Sequence, residues 1–378
     1  MTNPPHTLRK GRGAASNPLS QRFDRIEREA DGDWLDTARA PTHVRESVTL
    51  CDLQGDEPRS EPPPLRTEVT EETPKTAITR NQSPDVPFDR SINAYRGCEH
   101  GCVYCFARPT HAYLGLSPGQ DFERLLTAKP GVPDLLRTEL TKPGYRCAPL
   151  ALGTNTDPYQ PIEARYRITR AILDIFDQCH HPVTITTKSA RVLDDLSVIA
   201  RLAQRRLACV MMSVTSLDPK TARTMEPRAS SPRRRIDAIR QLSDAGIPTH
   251  VSISPIVPAI NDHEIEAILE AAAEAGAVGA FSIAVRLPHE VAPLFREWLS
   301  VHYPDRAARV MNHIQAMRGG KDNEGRFFER YQPKGAYAAT LKARFEKKKR
   351  ALNLDRSGRD LRTDLFDPSA LTNQPRLL

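Results

Sequence analysis

Short apolar runs alternate with longer amphipathic segments over about two hundred residues of this chain. The runs have the length of strands and occupy residues 92–95, 150–152, 183–187, 208–214, 250–256 and 280–285. Between them lie segments with helical spacing; in the first, Ile168, Ile172 and Ile175 repeat on one face. Strands that alternate with helices predict right-handed crossovers and a parallel sheet. Six units are too few for a closed eight-stranded barrel, so we expect an α/β fold with a partial (β/α)6 barrel of TIM type, or a doubly wound sheet as the alternative.

The ends of the chain have a different pattern. Residues 1–88 are rich in proline and almost free of apolar periodicity, which favours a largely disordered arm or a segment that wraps the main domain. After the sixth run, helices are expected at about 290–302, 305–317 and 336–352, with a basic, glycine-containing segment at 318–335. We therefore predict an arm at 1–88, a barrel at 89–290, and a helical, basic extension at 291–378.

Composition excludes several classes of protein. No apolar run approaches the roughly 18 residues of a membrane helix, and the N-terminus lacks the apolar stretch of a secretory signal. Three of the seven cysteines fall within eight residues, too close together for a disulfide framework. We expect a cytoplasmic monomer, in a reducing compartment, with no membrane contact.

Charge points only weakly to a partner. Lys and Arg number 54 against 47 Asp and Glu, a formal net charge of +7, which permits binding of a polyanion without requiring it. Arginines at 233–235 and the basic run 347–350 fit either solvated helix ends or contacts with phosphates. Nucleic acid is therefore a candidate substrate, although no DNA- or RNA-binding motif is present.

The strongest chemical signal is the segment Cys98-Glu-His-Gly-Cys102-Val-Tyr104-Cys105. Its three thiols, spaced C-x3-C-x2-C, can converge on one metal centre because Gly97 and Gly101 allow the loop to curl. Structural zinc usually takes four ligands in two paired knuckles, and no second C-x2-C pair exists here. A [4Fe–4S] cluster with three cysteines leaves one iron open, which fits this loop better.

This spacing, with an aromatic residue before the third cysteine, resembles the radical SAM superfamily over about residues 91–288. Within it the chain is similar to the spore photoproduct lyase-related (DNA repair photolyase-like) branch, in the cysteine segment and in Gly153-Thr-Asn-Thr-Asp157-Pro and Thr186-Thr-Lys188-Ser. The resemblance implies that Cys98, Cys102 and Cys105 ligate a [4Fe–4S] cluster. It also implies that S-adenosylmethionine chelates the fourth iron and is cleaved reductively to a 5′-deoxyadenosyl radical. That radical would abstract hydrogen from a substrate that the sequence does not identify.

The same resemblance places cofactor contacts at the carboxyl ends of the strands. The expected cofactor-binding residues are Tyr104, Thr154, Asn155, Thr156, Asp157, Lys188, Ser213, Ser216, Arg228 and Ser254. Plainer structural roles stay open for several of them: a capped turn at 153–159, a solvated Lys188, and a salt bridge involving Arg228. His100 is interpreted as a loop residue near the cluster rather than a fourth ligand. No further catalytic residue is assigned.

One departure from the family bears on the reaction. The spore lyase is expected to need a cysteine in the loop after the second strand to return hydrogen to its product. Thr154 and Asn155 stand there in this chain, and Cys147 precedes the strand. We therefore expect a radical SAM enzyme with a flavodoxin or ferredoxin as electron donor. We do not expect it to split a thymine dimer as the spore lyase does. The alternative is a zinc-stabilised, non-catalytic nucleic-acid-binding protein.

Overall fold

The computed structural model describes residues 11–22, 66–355 and 360–372. Its strands are β1 (Glu68–Glu71), β2 (Ile78–Arg80), β3 (Arg90–Ile92), β4 (Tyr95–Arg96), β5 (Leu125–Ala128), β6 (Leu150–Leu152), β7 (Val183–Thr187), β8 (Ala208–Ser213), β9 (Thr249–Ile256) and β10 (Gly279–Ala284). Its α-helices are α1 (Asp121–Arg124), α2 (Val132–Leu140), α3 (Glu163–Tyr166), α4 (Ile168–Cys179), α5 (Leu196–Gln204), α6 (Pro219–Met225), α7 (Pro232–Asp244), α8 (Ile265–Glu274), α9 (Val291–His302), α10 (Pro304–Ala316) and α11 (Gly335–Ala351).

The main sheet contains five of the six predicted strands in chain order, as β6 to β10; the predicted run 92–95 is displaced, because β3 ends at Ile92 and Tyr95 belongs to β4 in another sheet. Its order is β10-β9-β8-β7-β6-β3-β2; the six strands from β3 to β10 are parallel, and β2 pairs antiparallel with β3 at the edge. Each parallel strand is added on the same side of its predecessor, so right-handed crossovers place their helices on one face. A doubly wound sheet would reverse direction. The prediction of an open, partial (β/α)6 barrel is therefore confirmed, and the doubly wound alternative is wrong.

Two stretches of the predicted arm are ordered parts of the fold. Strand β1 pairs in parallel with β5, which also pairs with β4 in a three-stranded second sheet. In the 11–22 stretch, Ala14 and Ala15 are buried. The expectation of disorder is thus corrected for 11–22 and 66–88, where the chain wraps the barrel. Apolar periodicity missed these stretches because hydrogen bonds and β pairing, rather than a large apolar face, hold them. The remainder of the arm lies outside the described residues.

The C-terminal helices share an apolar core with the cysteine loop. Val103 and Tyr104 from the loop lie in the same buried cluster as Phe295 and Trp298 from α9 and Ile314 from α10. The three predicted C-terminal helices are present, as α9, α10 and α11. The apolar core continues across residue 290, so it does not separate the two predicted domains there. The domain boundary at 290 therefore stays a prediction. No helix in the described ranges is long and apolar enough to cross a membrane.

Candidate iron–sulfur and cofactor site

The cysteine loop curls at two glycines with positive φ, directly after β4. Gly97 has φ +71° and Gly101 has φ +67°, conformations that L residues with side chains rarely adopt. A Cβ on Gly97 would lie 2.8 Å from the Phe122 carbonyl oxygen, and one on Gly101 would lie 2.8 Å from Oε2 of Glu123. Both positions therefore require glycine for backbone conformation and for space, as the curled loop predicts.

A buried arginine holds the backbone of this loop. The guanidinium of Arg108 donates to the carbonyl oxygens of Cys102 (2.8 Å) and Gly101 (3.1 Å), and forms an ion pair of 2.5 Å with Glu123. Both charged side chains are fully buried. Sequence reasoning missed this pair, although an arginine three residues after Cys105 in an apolar context was a signal. Arg108 therefore holds the carbonyl groups of two adjacent loop residues, Gly101 and Cys102, in place.

The N-terminal stretch lies against the same loop and the same glutamate. The carboxylate of Glu123 accepts hydrogen bonds from the backbone N–H groups of Gly13 (2.9 Å) and Ala14 (2.8 Å). The guanidinium of Arg12 donates to the Glu123 carbonyl oxygen at 2.5 Å. A Cβ on Gly13 would lie 1.8 Å from the Gly101 carbonyl oxygen. The arm therefore forms one wall of the cysteine loop.

Burial favours the protonated form of two of the three loop thiols, Cys98 and Cys102, in the free protein. Burial is the largest cause that raises the pKa of Cys98 well above its ordinary value, and the charges of nearby acids and thiols raise it further. Burial also raises the pKa of Cys102 to about 12, against the opposing charge of Lys188. Iron can replace those protons, because metal-bound thiols are deprotonated. Cys105 is the more exposed member of the set.

In the part of the chain that the structure describes, no three His, Cys, Asp or Glu side chains are arranged to hold a metal ion. That arrangement concerns ligands that converge on one ion. In a cubane [4Fe–4S] cluster each cysteine binds a different iron atom. The three cysteine sulfurs therefore lie further apart than ligands that bind a single ion. Three thiols on one glycine-curled loop fit such a cluster by donor type, since iron–sulfur clusters are held by cysteine thiolates.

A buried chain of polar side chains starts at Tyr104. Its hydroxyl donates to Glu226, whose other carboxylate oxygen forms an ion pair of 2.5 Å with Arg235. Arg235 in turn donates to the Ser213 carbonyl oxygen at the end of β8 (3.1 Å). Burial raises the pKa of Glu226, but the charges of Arg235 and Lys188 outweigh it and lower that pKa. The Lys188 ammonium lies 6.0 Å from the centre of the Tyr104 ring.

Asp157 joins the turn after β6 to the cysteine loop and to β7. Its carboxylate accepts hydrogen bonds from the Thr187 hydroxyl (2.7 Å), the Lys188 N–H (2.8 Å) and the Tyr159 N–H (2.9 Å), and it faces Nδ1 of His100 at 3.4 Å. Burial raises the pKa of Asp157, but His100 and these donors outweigh burial and lower it to about 2. The carboxylate is therefore a structural link, with its oxygens already engaged by protein donors.

Residues 92–272 match the family model described as the radical SAM superfamily. This part of the chain is a radical SAM domain. The match covers slightly less than half of the chain and confirms, for these residues, the superfamily predicted from the cysteine spacing. Radical SAM enzymes use an iron–sulfur cluster and S-adenosylmethionine, and they require a reductant.

Sequence relatives of the radical SAM domain are themselves uncharacterized. A Mycobacterium tuberculosis protein is 37% identical over 226 residues, which cover 59% of this chain and 66% of that protein. A Methanocaldococcus jannaschii protein is 28% identical over 173 residues, 46% of this chain and 62% of that protein. The chain thus spans slightly less than two thirds of the length of these curated relatives.

Among solved structures, the fold is similar to spore photoproduct lyase. The lyase complexed with a dinucleoside spore photoproduct has a TM-score of 0.53 at 15% identity, over 74% of this chain and 78% of the lyase. A variant lyase with bound AdoMet and the same kind of ligand has a TM-score of 0.50 at 14% identity, with the same coverage. At these identities the similarity shows the shared fold.

Other predicted cofactor residues of the radical SAM domain fall into two groups. Thr154 and Asn155 are partly exposed in the turn after β6. Thr156 is buried, and its hydroxyl donates to the Tyr95 carbonyl oxygen at 3.3 Å. Ser254 accepts a hydrogen bond of 2.9 Å from the Ser252 hydroxyl near the end of β9. All of these residues lie at the carboxyl edge of the sheet, as predicted.

Two predicted contacts are occupied by protein carboxylates instead. The Ser216 hydroxyl donates to Glu264 at 2.6 Å, and that carboxylate also accepts the Leu217 N–H at 2.6 Å. Arg228 forms an ion pair of 3.0 Å with Glu99 in the cysteine loop. Both side chains therefore already have a protein carboxylate as partner, and their contacts with a cofactor stay a prediction. Sequence reasoning could not find these partners, because they come from distant positions in the chain.

Proposed function

We propose that this chain binds a [4Fe–4S] cluster through Cys98, Cys102 and Cys105 and cleaves S-adenosylmethionine reductively. The 5′-deoxyadenosyl radical then takes a hydrogen atom from an unidentified substrate. The supporting observation is a loop with three thiols at the carboxyl edge of a parallel α/β sheet, where sites of this fold class lie. The backbone of this loop is held by Arg108, which forms a buried ion pair with Glu123.

When bound, the cluster supplies the electron that breaks a carbon–sulfur bond of the cofactor. The chain's own residues hold and orient that cofactor. Lys188 is the residue best placed for the carboxylate, because its ammonium has no carboxylate ion pair among the described residues and lies beside Tyr104 and Cys102. Burial lowers the pKa of Lys188, but the charges of Cys102, Glu226 and Asp157 outweigh burial and raise it, so the side chain stays a cation.

The turn after β6 is the proposed site for the cofactor's amino group. Thr154 and Asn155 present hydroxyl and amide oxygens that accept hydrogen bonds from an ammonium. Asp157 positions this turn against the cysteine loop and β7 rather than holding the ligand itself. Ser213 and Ser254, at the ends of the next strands, are proposed for the ribose and adenine.

Nucleic acid stays a candidate substrate, supported by the lyase similarity and by the net charge of +7. The basic C-terminal helix gives it little further support, since Arg344 pairs with Glu266 at 2.6 Å and Lys348 pairs with Glu270. Repair of a thymine dimer is not proposed, because Cys147 lies before β6, at the opposite end of that strand from Thr154. A flavodoxin or ferredoxin donor, a monomeric state and a cytoplasmic location complete the proposal.

The test is anaerobic reconstitution with iron and sulfide, followed by reduction with dithionite in the presence of S-adenosylmethionine. We expect a brown protein that forms 5′-deoxyadenosine and methionine, slowly in the absence of substrate. A matched Asp157→Asn variant should keep its overall fold and show whether the turn must be fixed to the loop. Colourless protein with one tightly bound zinc and no cleavage would contradict the proposal and favour the zinc-stabilised binding protein.

A further inference from the structure

Three arginines converge beyond the carboxyl end of β10. Arg286 follows that strand by two residues, and Arg318 reaches it from the segment after α10, donating to the Val285 carbonyl oxygen at 3.1 Å. Arg318 also donates to the Arg330 carbonyl oxygen at 2.9 Å. The side chain of Arg318 is almost wholly buried, and that of Arg286 is half-buried. The guanidinium charges of Arg286 and Arg318 are thus brought together and largely shielded from bulk water.

The nearby carboxylates form ion pairs with Arg330 and Arg326 rather than with Arg286 or Arg318. Asp85 pairs with Arg330 at 2.5 Å, and Glu324 pairs with Arg326 at 2.9 Å. Among the described residues, neither Arg286 nor Arg318 has an ion pair with a carboxylate, and the Nε–H of each is buried without an acceptor. Buried charges and buried N–H groups are normally partnered. An anion with hydrogen-bond acceptors would satisfy both the charge and the buried N–H groups of this arrangement.

Burial and neighbouring positive charge both act on the pKa of these two arginines. Burial, followed by the positive charge of Arg286, lowers the pKa of Arg318 to about 10. Burial also lowers the pKa of Arg286; Tyr331 opposes that effect, and Arg330 adds to it. An oxyanion between the guanidiniums would remove this repulsion and accept from their N–H groups.

Aromatic rings line the same group of arginines. The Tyr331 ring is in contact with both Arg286 and Arg330, whose guanidinium carbons lie 4.6 Å and 5.1 Å from its centre. The Phe327 ring lies 4.8 Å from Arg330, and Phe327 and Phe328 are both more than half exposed. Exposed rings beside guanidiniums provide a flat surface on which another planar group can stack.

We propose that Arg286 and Arg318 form a subsite for an oxyanion, a phosphate or a carboxylate, on a substrate that also carries a planar ring. The subsite lies beyond the end of the sixth parallel strand, on the edge of the sheet that carries the cysteine loop and the turn after β6. This inference rests on the proposed function, since the subsite would bind the substrate of that same reaction. Radical SAM chemistry at the cluster would then act on an anionic molecule that is bound near the carboxyl end of β10.

The test measures binding of inorganic phosphate and of acetate to the reconstituted full chain at constant ionic strength. We expect saturable binding of at least one of them, and Arg286→Gln should weaken it by about tenfold or more. Arg318→Gln should weaken it similarly; Arg286 is the primary variant because its partial exposure makes misfolding less of a concern. The control is Arg326→Gln, whose side chain is 67% exposed, and which should bind as wild type. The preferred probe identifies whether the substrate's anion is a phosphate or a carboxylate.

A second measurement separates the substrate subsite from the cofactor. Saturating S-adenosylmethionine should not displace the anion, and Arg286→Gln should bind the cofactor as tightly as wild type. Absence of saturable binding, unchanged binding by Arg286→Gln, or displacement by the cofactor would each overturn the subsite. If the anion binds as expected but no 5′-deoxyadenosine forms, the subsite stands and the proposed function fails.

Discussion

The guanidinium of Arg108 and the carboxylate of Glu123 form an ion pair of 2.5 Å in which neither side chain reaches solvent. Arg108 also donates to carbonyl oxygens of the cysteine loop and to those of Pro118 and Gly119. Glu123 accepts hydrogen bonds from N–H groups of the N-terminal stretch. One pair therefore connects the loop, the helix α1 and the arm. A pair buried to this degree stabilises the fold only while both partners are present.

Removal of the Glu123 charge should destabilise the protein strongly. Glu123→Gln leaves Arg108 buried without its counter-ion, and breaking a buried pair costs about 3–5 kcal/mol. The free energy of unfolding, measured by anaerobic denaturation, should fall by that amount, and the iron bound per chain should fall with it. Glu68→Gln is the matched control, because that side chain is 69% exposed and its removal should change little. Unchanged stability of Glu123→Gln would contradict the account of the loop.

A methyl group at residue 13 should disturb the cysteine loop from outside it. In Gly13→Ala the added Cβ would meet the Gly101 carbonyl oxygen at 1.8 Å, so one of the two segments must move. We expect lower stability by about 1–3 kcal/mol and reduced iron content, both measured after reconstitution. Gly325→Ala serves as the control, since nothing lies within 4 Å of its added Cβ. Wild-type iron content in Gly13→Ala would show that the arm is not a wall of the site.

Glu163 should make stability depend on pH. Burial raises the pKa of Glu163 to about 7, against opposing hydrogen bonds from Tyr95 and from backbone N–H groups. Because the folded protein holds this proton more tightly than the unfolded chain, the contribution is complete below about pH 4.5 and is lost as the pH rises through about 7. The loss amounts to roughly 3 kcal/mol at most.

Denaturation of wild type and Glu163→Gln at several pH values checks this dependence. The difference between the two unfolding free energies should shift in favour of the variant as the pH rises from about 5 to about 8. A constant difference over that range would show that Glu163 is ionised in the folded protein.

Lys188 should affect the cofactor and not the cluster. Loss of a charge-assisted hydrogen bond to the cofactor carboxylate costs about 1.5–3 kcal/mol, or roughly tenfold or more in affinity. Lys188→Gln should therefore raise the Kd for S-adenosylmethionine by that factor and leave iron content unchanged. Lys188→Arg keeps the charge and should recover part of the affinity. Equal affinity in Lys188→Gln and wild type would remove Lys188 from the cofactor site.

The sequence was sufficient for the barrel because its strands and helices produce local periodic patterns. The run at 183–187 matches β7, and the repeat of Ile168, Ile172 and Ile175 marks the buried face of α4. The cysteine spacing was sufficient for the family because it lies within one loop. In each of these cases the deciding residues are close together in the chain.

The missed parts of the site depend on partners that are far apart in sequence. Glu123 accepts hydrogen bonds from residues 13 and 14, about 110 positions earlier in the chain. Glu264 accepts a hydrogen bond from the hydroxyl of Ser216, which lies 48 positions earlier. The ordered stretch 11–22 was not predicted, because its contacts are made by backbone N–H groups and small residues, which leave no apolar repeat. Ser216 and Asp157 could be placed at the correct edge, but not their partners.

The most direct test of the central claim compares cysteine variants for bound iron and for cofactor cleavage. Cys98→Ala, Cys102→Ala and Cys105→Ala should each lose the stable cluster and 5′-deoxyadenosine formation. Cys209→Ala, near the start of β8, should retain both. A variant lacking all three loop cysteines that still holds a full complement of iron and sulfide, or that still forms 5′-deoxyadenosine, would contradict the account.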